Sequence, residues 1–123
     1  VKSFEAIVLS LKTLSGVGIM IENNKLVLEI LTGPLDGHIV TLKGETKWTQ
    51  SVGSLLSFPW DDELGQPQGR FIVEEGKWLI EPFSSPHGTY ILNKDVKLPN
   101  KTILEKGDLL KASRTWMLIK AIE

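Results

Sequence analysis

The stretch Ser84-Ser85-Pro86-His87-Gly88-Thr89-Tyr90-Ile91-Leu92-Asn93 reads as a turn followed at once by a strand. Pro86 fixes one backbone torsion and carries no N–H to donate. Gly88 is free to take the positive φ that other residues resist. Thr89, Tyr90 and Ile91 suit a half-buried pleated surface. Such a turn can simply punctuate two strands, or it can present side chains from a sheet edge to a partner. The flanking chain decides between the two.

Working outward, the residues before this turn form the clearest hairpin of the sequence, Arg70–Glu74 and Lys77–Glu81 joined at Glu75-Gly76. After it, Asn93-Lys94-Asp95 turns into Val96–Leu98, and Pro99-Asn100 turns again toward Thr102–Leu104. Leu109–Ala112 and the nearly all-apolar Thr115–Ile122 close the chain, the latter reading as a strand buried on both faces. Further back, Lys25–Leu31 sets Leu26, Leu28 and Ile30 on one face. His38–Leu42, Lys47–Val52 and a short Leu55–Phe58 follow as strands. Residues 53–69 are the least regular part, broken by Gly53, Pro59, Gly65, Pro67 and Gly69. Ten to eleven short strands at regular spacing predict an all-β antiparallel sandwich or barrel.

At the start, Phe4, Ile7, Val8, Leu11 and Leu14 keep the spacing of one helical face, which Gly16 and Gly18 end. Few cations accompany it, so residues 1–18 read as a helix packed on its own domain or a linker, and 19–123 as the sandwich domain, with a short strand at Gly18–Ile21. The sequence begins at Val1, which leads us to expect a piece of a longer chain, with further domains or a membrane segment elsewhere.

The 123 residues suit one domain. Hydrophobic residues make up 41% and charged residues 24%, so a folded chain is expected. The 14 basic and 15 acidic residues leave a net charge of −1, which argues against nucleic acid as a partner. No apolar run is long enough to insert in a bilayer. With no cysteine, a disulfide scaffold, a thiolate metal site and a cysteine nucleophile are excluded, and a reducing, cytoplasmic setting is expected.

Candidate chemistry is sparse. His38 and His87 lie in different turns, and Asp36 near His38 brings no further ligands, so no metal is expected. Asp61-Asp62-Glu63 lacks a calcium-loop frame and reads as a solvated charge run. No nucleophile elbow or phosphate loop occurs. Trp48, Trp78 and Trp116 are expected in the core, whereas Trp60, between Pro59 and Asp61, is the tryptophan expected at an exposed contact. Neither catalysis nor a cofactor is expected, and an interaction module fits better.

From about Lys25 to Ile122 the sequence resembles a forkhead-associated (FHA) domain, a β-sandwich whose apical loops bind phosphothreonine peptides. The motifs are Trp78-Leu79-Ile80-Glu81, then Ser85-Pro86-His87-Gly88-Thr89-Tyr90, Asn93, Leu104 with Gly107-Asp108, and the last strand. They match the family's aromatic-centred strand, Ser-x-Asn-Gly-Thr turn, following Asn and Leu-x-x-Gly-Asp turn. Leu31–Gly37 also looks like the opening of many bacterial members.

The resemblance implies altered ligand chemistry. The family's Gly-Arg step, whose Arg pairs with phosphate, falls at Gly53-Ser54, where the Arg is Ser54. Its Ser-Arg-x-His motif falls at Gly65-Gln66-Pro67-Gln68: the phosphate-binding Ser is Gly65 and the structural His is Gln68. In the turn, a Thr that often helps hold the ligand is Pro86 and the peptide-binding Asn is His87, while Gly88 and Thr89 are kept. Losing the Arg and the Ser costs on the order of 3 kcal/mol, over a hundredfold in affinity.

The expected function is therefore a non-catalytic protein–protein interaction module without standard phosphothreonine recognition. Its candidate binding loops contain Ser54, Gly65, Gln66, Gln68, Pro86, His87 and Gly88. The partner is expected to be a protein or peptide, phosphorylated or not, or another domain of the parent chain. The alternative is a phosphothreonine-binding signalling domain with a rearranged site, Arg70 or His87 standing in for the missing Arg. A purely structural module would instead show an exposed apolar patch on one sheet face.

Overall fold

The alternation at Leu26, Leu28 and Ile30 places all three side chains fully inside the protein in the computed structural model, which describes residues 25–94, 96, 97 and 100–123. The helix expected over residues 1–14 and the strand at Gly18–Ile21 lie outside the described residues. Eleven strands follow among those described: β1 Leu26–Ile30, β2 Ile39–Leu42, β3 Thr46–Thr49, β4 Leu56–Ser57, β5 Gly69–Glu74, β6 Lys77–Pro82, β7 Tyr90–Ile91, β8 Val96–Lys97, β9 Thr102–Ile103, β10 Leu109–Ala112 and β11 Thr115–Ile122. They form two sheets, one ordered β2-β1-β11-β10-β7-β8 and the other β4-β3-β5-β6-β9. Every pairing is antiparallel except β3 with β4, where Trp48 opposes Leu56 in parallel register.

Two faces meet in one core. Leu26, Leu28, Ile30, Leu110, Met117 and Ile119 come from the six-stranded sheet, and Trp48, Phe71, Trp78 and Ile80 from the other. Trp48 and Phe71 stack with centroids 6.2 Å apart. The buried indole N–H groups of Trp48 and Trp78 have no hydrogen-bond partner, so these rings contribute through packing alone.

The structure corrects three readings. Trp116 is only partly buried: it points to the outer face of β11. β11 itself is fully buried on one face, through Thr115, Met117 and Ile119, and only partly buried on the other. Its apolar run places Trp116 and Leu118 on that partly exposed face. Asp61, read as part of a solvated run, is 1% exposed.

One end of the sandwich collects the loops that matter for recognition. Because β1 and β11 are antiparallel, residue 31 lies beside the start of β11, and the β10–β11 turn sits at that same end. Tyr90 pairs with Lys111, which brings the Ser84–Thr89 turn there too. The backbone of Gln50 donates to Gly65, so the β3–β4 and β4–β5 connections join the group. At the opposite end, the Asn93 amide reaches Asp108 and Leu109, and the Asp108 carboxylate accepts from the Glu105 backbone.

Candidate functional site

At the apical end, Gln68 organises the loops. It is 1% exposed, and its backbone is fixed on both sides, donating to Trp48 and accepting from Phe83. Its side-chain carbonyl accepts from the Gly65 N–H at 2.8 Å. Its amide nitrogen faces three oxygens: Ser85 Oγ at 2.9 Å, Thr89 Oγ1 at 2.8 Å and the Gly88 carbonyl at 3.2 Å. Both ends of the amide are thus matched to opposite hydrogen-bonding character. The β4–β5 loop is thereby locked to the Ser84–Thr89 turn, and Gln68 has no donor left for a ligand. Ser85 Oγ also accepts from the Gly88 N–H, closing the turn around Gly88 at φ 76°.

Gly65 belongs to the same lock. A Cβ there would stand 2.9 Å from Gln68 Cα and from the Pro67 carbonyl oxygen, so the position has no room for a serine. The Gln66–Pro67 peptide bond is cis. Gln66 is exposed, and its Oε1 accepts from Ser51 Oγ at 3.1 Å. Pro86 and His87 are exposed at the tip of the turn, and His87 Nε2 lies 2.7 Å from Glu63 Oε1.

Ser54 is directed elsewhere. Its hydroxyl donates to the Lys47 carbonyl, its backbone N–H donates to Ser57 Oγ, and its Oγ accepts from Leu56. These bonds tie the β3–β4 connection to the backbone of β3 and to the start of β4. Arg70 is also committed: Nε donates to Glu81 and Nη1 to Glu45. The structure therefore brings together Gly65, Gln66, Gln68, Pro86, His87 and Gly88, and leaves Ser54 and Arg70 in separate networks. Trp60 is 38% exposed, lies edge-on to Phe58 and covers Gly33.

Asp61 ties this end to the other sheet. It accepts from Ser113 Oγ at 2.7 Å, Thr115 Oγ1 at 2.8 Å and the Arg114 N–H at 3.0 Å. Burial raises its pKa, but the bonds from Ser113, Thr115 and the Arg114 and Glu63 backbone outweigh burial and hold the carboxyl below its ordinary value. Ser113 sits in the left-handed region at φ 54° in the two-residue β10–β11 turn. Its bond to Asp61 helps hold that strained backbone.

The sequence reading missed a cleft of about 320 Å³ lined by Glu63, His87, Tyr90, Lys111, Ser113 and Arg114. Its sequence signal is a pair of cations, Lys111 just before a hairpin turn and Arg114 within it. Among the described residues no cluster of metal-ligating side chains occurs, and no helix is long and apolar enough to cross a membrane.

No protein-family model and no curated protein matches the chain. Solved structures do. The FHA domain of an Arabidopsis thaliana hypothetical protein superposes with a TM-score of 0.72 at 20% identity, covering 89% of this chain and 96% of that one. The chain has the forkhead-associated fold. An FHA domain described for phosphothreonine-dependent interactions gives a TM-score of 0.67 at 14% identity, covering 79% and 96%. The FhaA FHA domain, solved in complex with an intracellular domain of another protein, gives 0.66 at 14% identity, covering 77% and 99%.

Proposed function

We propose that this chain is a non-catalytic protein-interaction module that binds a protein or peptide through its apical loops, by contacts that do not depend on phosphothreonine. The observation that carries this is the fate of the groups expected to hold a phosphate. Gly65 has no side chain and no space for one, Gln68 spends its amide inside the lock, Ser54 is bonded to the Lys47 carbonyl, and Arg70 is held between two carboxylates. Phosphate recognition rests on charge-assisted donors aimed at the ligand, and these four positions supply none. In their place the apical loops offer exposed apolar side chains, Val52 at 79%, Leu55 at 65% and Phe83 at 37%, beside Gln66 and Pro86. Such a mixture of apolar and neutral polar groups suits a protein contact. FHA neighbours solved with partners of their own support the choice of an interaction module, and the cysteine-free sequence fits a cytoplasmic setting.

A peptide array carrying each sequence with and without phosphothreonine tests the reading. Binding is expected to be indifferent to the phosphate and to fall about tenfold or more in a Val52→Asp/Leu55→Asp variant. Binding confined to phosphothreonine peptides would overturn it.

A further inference from the structure

The cleft on the outer side of β7 and β10 lies beside the apical loops and is chemically different from them. Tyr90 and Lys111 are cross-strand partners on its floor, and Arg114 rises from the β10–β11 turn at its wall. Several cations hold carboxylates, Arg70 with Glu45 and Glu81, Lys94 with Glu105 and Asp108, Lys101 with Glu74, and Lys120 with Glu29, whereas Lys47 and Lys77 on their strands do not. Lys111 and Arg114 form no ion pair with any described residue, although Glu63 lines the same cleft. Glu63 directs its carboxylate to His87 at 2.7 Å.

We propose that Lys111 and Arg114 form a site for a carboxylate on the partner, an acidic side chain or a chain end. This rests on the interaction-module reading and names the chemistry of one contact within it. Two fixed cations and one fixed anion, with His87 counted neutral, leave the cleft one positive charge. That balance matches a monoanion better than a phosphate dianion, which would face Glu63 with its second charge. The donors are the Lys111 ammonium and the Arg114 guanidinium. The hydroxyl hydrogen of Ser113 and the N–H of Arg114 already go to Asp61, so neither serves the ligand. Asp61 acts instead by positioning: it fixes the turn from which Arg114 projects.

The test is an amide-resolved NMR titration of the 15N-labelled chain with N-acetylaspartate amide and, separately, with phosphothreonine. N-acetylaspartate amide is expected to shift the amides of His87, Lys111, Ser113 and Arg114 in a saturable way. Lys111→Gln/Arg114→Gln is expected to weaken this about tenfold or more. Glu63→Gln is expected to tighten it about threefold by removing the competing charge; a residue that merely shaped the cleft would not give that sign. These side chains face solvent, and unshifted core amides in each variant confirm that the fold is kept. Absence of saturable shifts, shifts that survive the double variant, or phosphothreonine binding more than tenfold tighter in this cleft would each overturn the proposal. Its failure leaves the apical reading standing if array binding still responds to Val52→Asp/Leu55→Asp, and failure of that reading shows as phosphate dependence on the array.

Discussion

Gln68 shows how the two ends of a single side-chain amide can hold two loops together. A neutral histidine offers one donor and one acceptor, whereas Gln offers two N–H hydrogens and a carbonyl. Here the carbonyl serves Gly65 and the amide nitrogen serves the Ser85–Thr89 turn. Gln68→Ala leaves the buried Gly65 N–H and Thr89 hydroxyl without that partner, and the expected loss is roughly 3 kcal/mol in chemical denaturation. Gln68→Glu keeps the Gly65 bond but sets a carboxylate against the Gly88 carbonyl, so it is expected to destabilise as well. Sequence alone marks this position only as a departure from a family pattern. That Gln68 faces inward was not legible there, because an exposed glutamine in a Gly- and Pro-rich loop is the ordinary case.

At the scale of elements, the hairpin β5–β6 was readable because its turn chemistry and its alternation agree. Glu75 and Gly76 both take positive φ, 53° and 73°, as a two-residue turn of the type I′ hand requires. Glutamate is a poor fit to that region and asparagine a good one. Glu75→Asn is therefore expected to stabilise the protein by about 0.5–1 kcal/mol, seen as a raised thermal midpoint. The β10–β11 hairpin was legible as strands but not as part of a site. Its turn residues Ser113 and Arg114 gain meaning only from Asp61, some fifty residues earlier, and no local pattern announces a buried carboxylate inside an acidic run. β11 misled for a related reason: a partly exposed sheet face that carries Trp116 and Leu118 reads like a buried one.

Over the whole molecule, Asp61 spans the sandwich, joining a loop of the five-stranded sheet to the first turn of β11 in the other. Its pKa is depressed in the folded state, so the unfolded chain binds the proton more readily. The stabilisation is then present above the ordinary carboxylate value of about 4 and is lost as pH falls through the lower folded value. Urea midpoints measured between neutral and acid pH are expected to decline along that limb, and Asp61→Asn is expected to cost roughly 2 kcal/mol at pH 7 with the gap to the unmodified protein narrowing below pH 4. The architecture was legible from alternation and turn spacing. The division of its loop end into exposed apolar side chains and a cation-lined cleft was not, since the two draw on loops that are distant in sequence.

Residues 25 and 123 exchange backbone hydrogen bonds with each other, N–H to carbonyl in both directions at 2.9 Å. They lie side by side at the end opposite the apical loops. A load transmitted through these two points pulls β1 and β11 apart crosswise, so their ladder opens one rung at a time rather than shearing as a block. Tension between the two points would therefore peel β1, with β2, from the rest of the six-stranded sheet, and a partner gripping the far end would be the last to feel it.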